Sequence, residues 1–368
     1  MSRVAQGLRR HLPVLAAGAQ VRGALAAARG EAGVALVDGH DRRVNYLRVS
    51  LTERCNYRCT YCMPAEGVAV APRAAHLSVD ELCQVVAALM PLGVRRVRLT
   101  GGEPTVRGEL LALVERLAAL GLDDLSLSTN GERLAELAAP LRRAGLLRLN
   151  VSLDSLDPQR FQRLTRHGQL PRVLAGLEAA QAAGFVNTKI NTVVMRGFDE
   201  DEVSALCRFA WERALTPRFI ELMPMAEGAL FYPGTFVPVA ELRGLLAAAF
   251  GAPLPARAAP PGAGPARYLV YRHHGQEHHA GFIAAVTEPF CEACNRVRLA
   301  ATGQLHLCLG RDESVDLRAV LRGGAAAERV ALALRAEVSA ALRGKAAGHS
   351  FQQNGCGGPR QSMVSIGG

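Results

Sequence analysis

Two groups of cysteines are the residues best placed to carry chemistry in this sequence. The six side chains fall into two triplets, Cys55, Cys59 and Cys62, then Cys291, Cys294 and Cys308. Three thiols this close in sequence cannot all pair with one another in disulfides, so each triplet predicts a metal centre. Cysteine thiolates bind zinc or iron–sulfur clusters, and a [4Fe–4S] cluster usually takes four of them. A cluster held by three keeps one iron open to an outside ligand.

Local spacing leaves zinc open as an alternative for both triplets. The first would need a distant fourth ligand, because no further Cys or His lies close to it in sequence. The second has His306 two residues before Cys308, and side chains two apart on a strand share a face. A Cys3His zinc site and a second [4Fe–4S] cluster with an open iron are therefore both compatible with this region.

Between the cysteines of the second triplet lies the stretch Asn295-Arg296-Val297-Arg298. Two arginines at i and i+2 of a strand share a face, and planar guanidinium groups suit a phosphate or a purine edge. The alternative is that both arginines lie on a strand face exposed to solvent and bind no ligand. The sequence has no G-x-x-x-x-G-K-[ST] loop, so a nucleotide site here would rely on side-chain cations.

The elements that must position these residues follow an alternating pattern. Short runs rich in β-forming residues alternate with segments of helical spacing, and glycines end several of the helical segments. Six tandem βα units predict a parallel sheet, and since a closed barrel needs eight, we expect an α/β fold with an open, partial (βα)6 TIM-like barrel. Functional residues then gather at the carboxyl ends of the strands. The predicted strands are 47–52, 97–100, 125–129, 149–154, 190–195 and 219–223.

Three regions are predicted along the chain. Residues 1–40 form an N-terminal arm, poorly ordered or loosely helical, whose Arg-rich and acid-poor start also fits organelle targeting. Residues 41–245 form the partial barrel. Residues 246–368 form a β-rich region with the second triplet, and begin with a Pro- and Gly-rich linker or surface loop over 251–266. The histidines at 273, 274, 278 and 279 predict a polar β-turn region.

Composition excludes several classes of protein. The 368 residues are 49% hydrophobic, 21% charged and 5% aromatic, which predicts a folded core rather than disorder. No uncharged apolar run reaches the roughly 18 residues of a membrane span. The net charge of +10 suits an anionic ligand. A zinc-stabilised nucleic-acid-binding module is the alternative from another class, and the shortage of aromatic stacking residues argues against it.

The first triplet also has a family resemblance. Its Cys-x3-Cys-x2-Cys spacing, with Tyr61 before the last Cys, and the later motif Gly101-Gly102-Glu103-Pro104 resemble the signatures of the radical S-adenosylmethionine superfamily. The resemblance implies that the open iron binds the amino and carboxylate groups of S-adenosylmethionine. One electron from the cluster would then release a 5′-deoxyadenosyl radical.

The whole of residues 41–368 resembles the GTP 3′,8-cyclase family, on the stretches NTVVMRG, RFIELMPM and FCEACNRVRL and a Gly-Gly terminus. The resemblance implies conversion of GTP to (8S)-3′,8-cyclo-7,8-dihydroguanosine 5′-triphosphate in molybdenum cofactor (molybdopterin) biosynthesis. The radical would abstract the ribose 3′ hydrogen, and the C3′ radical would then attack C8 of guanine. Another radical S-adenosylmethionine enzyme with an auxiliary cluster is the alternative within the superfamily.

The resemblance also assigns site residues. The two triplets would hold two [4Fe–4S] clusters, and the open iron of the second would meet the guanine base. S-adenosylmethionine would contact Tyr61, Gly102, Ser152 and Met223. Catalytic roles fall on Gly367, Gly368 and Arg218. GTP would contact Arg48, Arg98, Ser128 or Thr129, Lys189, Arg296, Val297 and Arg298.

The partners follow from the same resemblance. We expect GTP as substrate and cyclic pyranopterin monophosphate synthase as the next enzyme, with an electron donor that the sequence does not identify. We expect no nucleic acid or membrane partner, a cytoplasmic location, and a homodimer or monomer.

Anaerobic reconstitution tests the nature of the two centres. We expect about eight iron and eight sulfide per chain, because each triplet would hold one cubane. Substituting Cys59→Ser should abolish cleavage of S-adenosylmethionine, whereas Cys294→Ser should spare uncoupled cleavage more than GTP turnover. Zinc uptake in place of iron, or equal loss of uncoupled cleavage in both variants, would contradict this division.

Overall fold

The computed structural model describes residues 35–197, 200–231, 233–255, 258–262 and 264–367. The first 34 residues of the predicted arm lie outside this part of the chain, as does Gly368. Within the described ranges, no helix is long and apolar enough to cross a membrane.

Each of the six predicted β-rich runs forms a strand of one parallel sheet, which confirms the alternating pattern. Along these strands, apolar side chains such as Leu47 and Val49 are buried in the core while the alternate positions are polar. The strands are β1 (Tyr46–Ser50), β2 (Arg96–Thr100), β3 (Asp124–Thr129), β4 (Arg148–Ser152), β5 (Lys189–Val194) and β6 (Thr216–Glu221).

Helices follow the strands, and their ends carry local signals. Ser78 forms a capping box with Glu81 at the start of the first helix, and left-handed Gly93 follows the short turn after it. Packing is close where Gly176 meets the turn after β3, because a Cβ there would lie 2.5 Å from the carbonyl oxygen of Gly131. The helices of this part are α1 (Val79–Leu89), α2 (Leu110–Ala119), α3 (Leu134–Arg143), α4 (Pro158–Thr165), α5 (Leu170–Ala182), α6 (Glu200–Glu212) and α7 (Val239–Phe250).

The C-terminal region extends the same sheet at both edges. Strand β9 (Gln276–Ile283) pairs in parallel with β6, and β10 (Arg296–Leu299) pairs in parallel with β1. Among the described residues, the parallel part therefore contains eight strands, in the order β10-β1-β2-β3-β4-β5-β6-β9. Antiparallel strands continue beyond each edge, which leaves the sheet open, as expected for a partial barrel. The added strands are β7 (Leu254–Pro255), β8 (Arg267–His273), β9 (Gln276–Ile283), β10 (Arg296–Leu299), β11 (Gln304–His306) and β12 (Ser314–Asp316).

The remaining elements are helical. They are α8 (Leu317–Leu321), α9 (Ala327–Arg343) and α10 (Met363–Ile366). In the last of these helices, Val364 and Ile366 are buried and hold the tail against the body of the protein. The histidine-rich segment forms the β8–β9 hairpin, where the His278 ring stacks on Trp211.

Glu221, at the end of β6, ties three segments together. Its buried carboxylate accepts hydrogen bonds from the backbone N–H groups of Val239, Val286 and Thr287 at 2.9, 2.8 and 3.0 Å. The barrel strand, the start of α7 and the loop after β9 are therefore held at one carboxylate.

We expect Glu221→Leu to lower the free energy of unfolding by about 3 kcal/mol, because three buried N–H donors lose their acceptor. Urea denaturation followed by circular dichroism measures the change. The matched control is Glu288→Gln, which removes part of a partly exposed pairing with Arg243 and Arg267 and should cost less than about 1 kcal/mol. Equal losses in the two variants would contradict the role of Glu221.

Candidate active site

A cavity of about 310 Å³ brings the two cysteine triplets together. All six thiols line it, although the triplets are more than 200 residues apart in sequence. The cavity lies at the carboxyl ends of the barrel strands, where an α/β fold gathers its functional groups.

The first triplet occupies the loop that follows β1. Burial, together with neighbouring negative charge, raises the pKa of the Cys55 thiol to about 11 and that of Cys62 to about 12. Burial also raises the pKa of Cys59, with the Asp154 carboxylate and the other two thiols adding to the effect. Three buried thiolates would repel one another, so this group needs a strongly positive centre among them. An iron–sulfur cluster supplies that charge.

The four residues predicted to contact S-adenosylmethionine, Tyr61, Gly102, Ser152 and Met223, all line this cavity. Gly102 must be glycine here, because a Cβ would lie 2.4 Å from the carbonyl oxygen of Arg54 in the cysteine loop. The Tyr61 hydroxyl donates to the Asp154 carboxylate at 2.7 Å, and Asp154 also accepts from the Val193 N–H at 3.0 Å.

Glu103 joins the ends of β2 and β3. Its buried carboxylate accepts hydrogen bonds from the Thr129 hydroxyl at 2.7 Å and the Asn130 N–H at 2.7 Å, besides two from Thr105. The Thr129 hydroxyl also accepts from the Gly131 N–H at 3.1 Å. Thr129 is thus engaged in holding the loop, whereas Ser128 also lines the cavity.

Parallel register places the predicted cations in a row. Arg298, Arg48 and Arg98 are register partners on β10, β1 and β2, with Ser126 next on β3. Two residues earlier on each strand, Arg296 of β10 is the register partner of Tyr46 on β1. The cavity wall therefore contains positive groups on three adjacent strands.

Neutral oxygens orient three of the cations in the cavity wall. Arg98 donates to the Ser126 hydroxyl at 3.2 Å, and Arg298 donates to the Gly367 carbonyl at 2.5 Å. Across the cavity, Arg218 donates to the side-chain oxygens of Asn191 and Asn150 at 2.9 and 2.6 Å. These contacts orient the guanidinium groups without cancelling their charge, which leaves it available to an anion.

The pKa values reflect this concentration of positive charge. Burial, together with the charge of Arg98, lowers the pKa of Arg218 to about 10. Burial and the charge of Arg296 lower the pKa of Arg298 to about 10. The pKa of Arg48 is also well below its usual value, through burial and then the charge of Arg298. A bound polyanion would relieve this repulsion.

Two predicted GTP contacts have different surroundings from those expected. The Lys189 ammonium donates to the carbonyl oxygens of Pro261 at 2.7 Å and Asn187 at 3.3 Å, and Lys189 is not among the residues that line the cavity. The Val297 side chain lies in the hydrophobic core, because it alternates with Arg296 and Arg298 along β10. Only its backbone is available to a ligand.

The second triplet lies on the loops beside β10 and β11. Lys345 donates to the Cys294 sulfur at 3.4 Å, and its charge helps to lower the pKa of Cys294 against the effect of burial. His306 is the register partner of Arg298. Burial and the Arg298 charge lower its pKa to about 4, so His306 is neutral at pH 7.

The arrangement of thiols fits iron–sulfur clusters. Within the described residues, no three His, Cys, Asp or Glu side chains converge as they would around a single metal ion. A cubane instead receives each thiolate at a different iron, so its ligands stand further apart. Cys55, Cys59 and Cys62 would hold one such cluster and Cys291, Cys294 and Cys308 the other.

The C-terminal tail enters the site. Gly367 has a φ of +77°, and a Cβ there would lie 2.9 Å from Cβ of Ser50 and 3.0 Å from Cγ2 of Thr100. The predicted role of Gly367 is therefore compatible with its position next to Arg298. Gly368, also predicted to be catalytic, lies outside the described residues.

Sequence reasoning missed several residues in and around the cavity. Asn150 and Asn191 hold Arg218, and Tyr46 lies between arginines with its hydroxyl buried and without a hydrogen-bond partner among the described residues. Asp154 was within reach of sequence analysis, because a carboxylate two residues after Ser152 shares its side of a strand end. Lys345 carried no such signal, since it follows a long helix far from either triplet in sequence.

Comparison with known proteins agrees with this geometry. The sequence profile of the Radical SAM superfamily matches residues 49–210, and that of Molybdenum Cofactor Synthesis C matches residues 215–351. A GTP 3′,8-cyclase of Pelotomaculum thermopropionicum is 45% identical over 295 residues, which cover 80% of this chain and 90% of the relative. The chain belongs to the GTP 3′,8-cyclase family.

Other relatives in the GTP 3′,8-cyclase family are similar over comparable lengths. The protein of Hydrogenovibrio crunogenus is 41% identical over 337 residues, covering 91% of this chain and all of the relative. That of Pseudomonas entomophila is 48% identical over 290 residues, covering 78% and 85%. Among solved structures, Streptococcus suis SuiB bound to the precursor peptide SuiA is 16% identical, with a TM-score of 0.47 over 67% of this chain and 53% of SuiB.

Membership of the GTP 3′,8-cyclase family decides between the zinc and iron–sulfur alternatives that the cysteine spacing left open. It confirms the radical S-adenosylmethionine fold class and the predicted iron–sulfur chemistry, and it argues against a zinc-stabilised nucleic-acid-binding module.

We expect Gly367→Val to reduce product formation at least about tenfold while leaving iron content unchanged, because its side chain would collide with Ser50 and Thr100 and push the tail from Arg298. Iron analysis and chromatography of the nucleotide products measure the two effects. The matched control is Gly344→Ala, at an ordinary φ of −88° with the nearest atom 3.5 Å away. Full turnover in the Gly367 variant would exclude the tail from the reaction.

Proposed function

We propose that this chain is a radical S-adenosylmethionine GTP 3′,8-cyclase, which forms (8S)-3′,8-cyclo-7,8-dihydroguanosine 5′-triphosphate for molybdenum cofactor biosynthesis. The observation that carries the proposal is that both cysteine triplets and a row of arginines line one cavity. Membership of the GTP 3′,8-cyclase family supports the same activity.

The chemistry supplied by the bound groups is that of the family. Cys55, Cys59 and Cys62 would hold a [4Fe–4S] cluster, which would supply the one-electron reduction of S-adenosylmethionine that starts radical chemistry at C3′ of GTP. Closing the C3′–C8 bond to give the 7,8-dihydro product would take one further electron and a proton, the electron coming from the electron donor. The second [4Fe–4S] cluster would bind the guanine base at its open iron.

The residues of this chain hold the reactants for that step. Tyr61, Gly102, Ser152 and Met223 would surround S-adenosylmethionine beside the first triplet, and Asp154 fixes the Tyr61 ring through its hydroxyl. Glu103 keeps the two strand ends next to this site in register. Placement of the reacting atoms within a closed cavity is the main contribution that a protein makes to such a reaction.

GTP would bind through the cations of the opposite wall. Arg48, Arg98, Arg296 and Arg298 face the cavity from adjacent strands, and a triphosphate carries about four negative charges. Arg218 would meet the substrate from the other side, oriented by its two asparagines. Of the two candidate hydroxyls, we propose Ser128, because that of Thr129 is committed to Glu103 and Gly131.

Lys189 and Val297 are proposed to contact GTP only if one condition is met for each. Lys189 would reach GTP only if its ammonium left the carbonyl of Pro261, and Val297 would contact it only through the backbone. Gly367 and Gly368 would complete the site from the C-terminal tail. We further propose a cytoplasmic enzyme, active as a homodimer or monomer, whose product passes to cyclic pyranopterin monophosphate synthase.

The test of function is the reconstituted, reduced protein incubated anaerobically with S-adenosylmethionine and GTP. We expect GTP-dependent 5′-deoxyadenosine and a cyclised nucleotide, both measured by chromatography. Substituting Arg218→Gln should lower kcat/KM for GTP about 10- to 100-fold, because a buried charge-assisted contact is lost. Uncoupled formation of 5′-deoxyadenosine should continue in this variant.

The matched control is Arg272→Gln, which removes a largely exposed guanidinium on β8 and should leave turnover unchanged. Formation of 5′-deoxyadenosine by the unmodified protein without consumption of GTP would keep the radical chemistry and reject GTP as substrate.

A further inference from the structure

The chain contains two lysines among its 43 basic side chains, Lys189 and Lys345. Both are buried, with exposed fractions of 1% and 3%. A lysine offers a compact point charge with three rotatable donors, whereas arginine offers a rigid planar fork. In a chain that otherwise uses arginine for its cations, these two buried lysines mark places that suit a compact charge. Lys189 belongs to the cations described above, and Lys345 has no role so far.

Lys345 points at the second triplet. It follows the C-terminal end of α9, and its ammonium donates to the Cys294 sulfur at 3.4 Å and to the Arg296 carbonyl oxygen at 3.0 Å. Cys294 lies in the loop that leads into β10, and Arg296 is the first residue of that strand. The lysine charge is therefore held against a sulfur that we assign as a cluster ligand.

A second buried cation fixes the segment that carries Lys345. Arg42 donates to the carbonyl oxygens of Ala346 and Ala347 at 2.7 and 2.6 Å, and to that of Cys291 at 2.8 Å. Asp38 accepts from Arg42 at 2.6 Å, with both side chains buried. The Arg42 guanidinium thus joins the segment after α9 to the backbone of the second triplet. These contacts keep Lys345 next to Cys294.

We propose that Lys345 is a positioning residue of the second cluster, which donates a hydrogen bond to the Cys294 thiolate and offsets part of its negative charge. The inference rests on the proposed function, because it requires a cluster at the second triplet. Hydrogen bonds to ligand sulfurs and nearby positive charge favour the reduced, more negative state of a cluster. Lys345 should therefore raise the reduction potential of the second cluster and slow the loss of its iron.

The test is Lys345→Met, which keeps the length of the side chain and removes both donor and charge. We expect a lower midpoint potential for the second cluster in a redox titration followed by electron paramagnetic resonance. We also expect about tenfold faster iron release to a chelator. The titration uses the full-length reconstituted protein, alone and with the first three cysteines changed to serine, so that the signal of the second cluster is seen by itself.

Two further variants make the result specific. Lys345→Arg, which keeps a positive donor, should recover part of the midpoint potential and so provides a test if the Met variant fails to assemble its cluster. The matched control is Lys189→Met, the other buried lysine, which should leave this midpoint unchanged because its ammonium contacts Pro261 and Asn187 instead. A midpoint and an iron-release rate equal to those of the unmodified protein in Lys345→Met would overturn the proposal.

Failure of the inference differs from failure of the proposed function. Eight iron per chain with an unchanged midpoint in Lys345→Met would reject only the role of Lys345. Four iron per chain in the unmodified protein, with no signal after loss of the first triplet, would reject the second cluster itself.

Discussion

Concentrated positive charge facing partly buried thiols is the constraint on which the rest of this structure depends. Arg48, Arg98 and Arg298 stand side by side on adjacent strands, and burial followed by the charge of a neighbouring arginine lowers the pKa values of Arg48 and Arg298. Such a group costs free energy, because burial and mutual repulsion both penalise the charged form. The Ser126 hydroxyl orients Arg98 and the Gly367 carbonyl oxygen orients Arg298.

The extended sheet makes this arrangement possible. A six-stranded barrel would carry the first triplet and only part of the row of cations, since Arg296 and Arg298 lie on β10. Parallel pairing of β10 with β1 sets these residues in register with Tyr46 and Arg48. The C-terminal region is therefore part of the active-site wall as well as the source of the second triplet.

Charge is balanced differently at the two triplets. Around Cys55, Cys59 and Cys62 the nearest ionisable side chains include the carboxylates of Glu103 and Asp154, which raise thiol pKa values. Around Cys294 the neighbours are Lys345 and Arg296, which lower its pKa. Two clusters of the same type would thus have differently charged neighbours, and reduction potential depends on such charge. This difference suits one centre that gives up an electron and another that binds substrate.

The sequence by itself determined the elements and the ligands. Period-two and helical patterns located the six barrel strands, and the cysteine spacing predicted both triplets as metal ligands, because these signals are local. Only the tertiary structure decided which long-range partners meet. The hydrogen bonds of Arg218 with Asn150 and Asn191, the engagement of Thr129 by Glu103 and the approach of Lys345 to Cys294 join residues from about 25 to 70 positions apart. Strand register and loop packing fix such contacts, and neither is encoded in the spacing of residues along one segment.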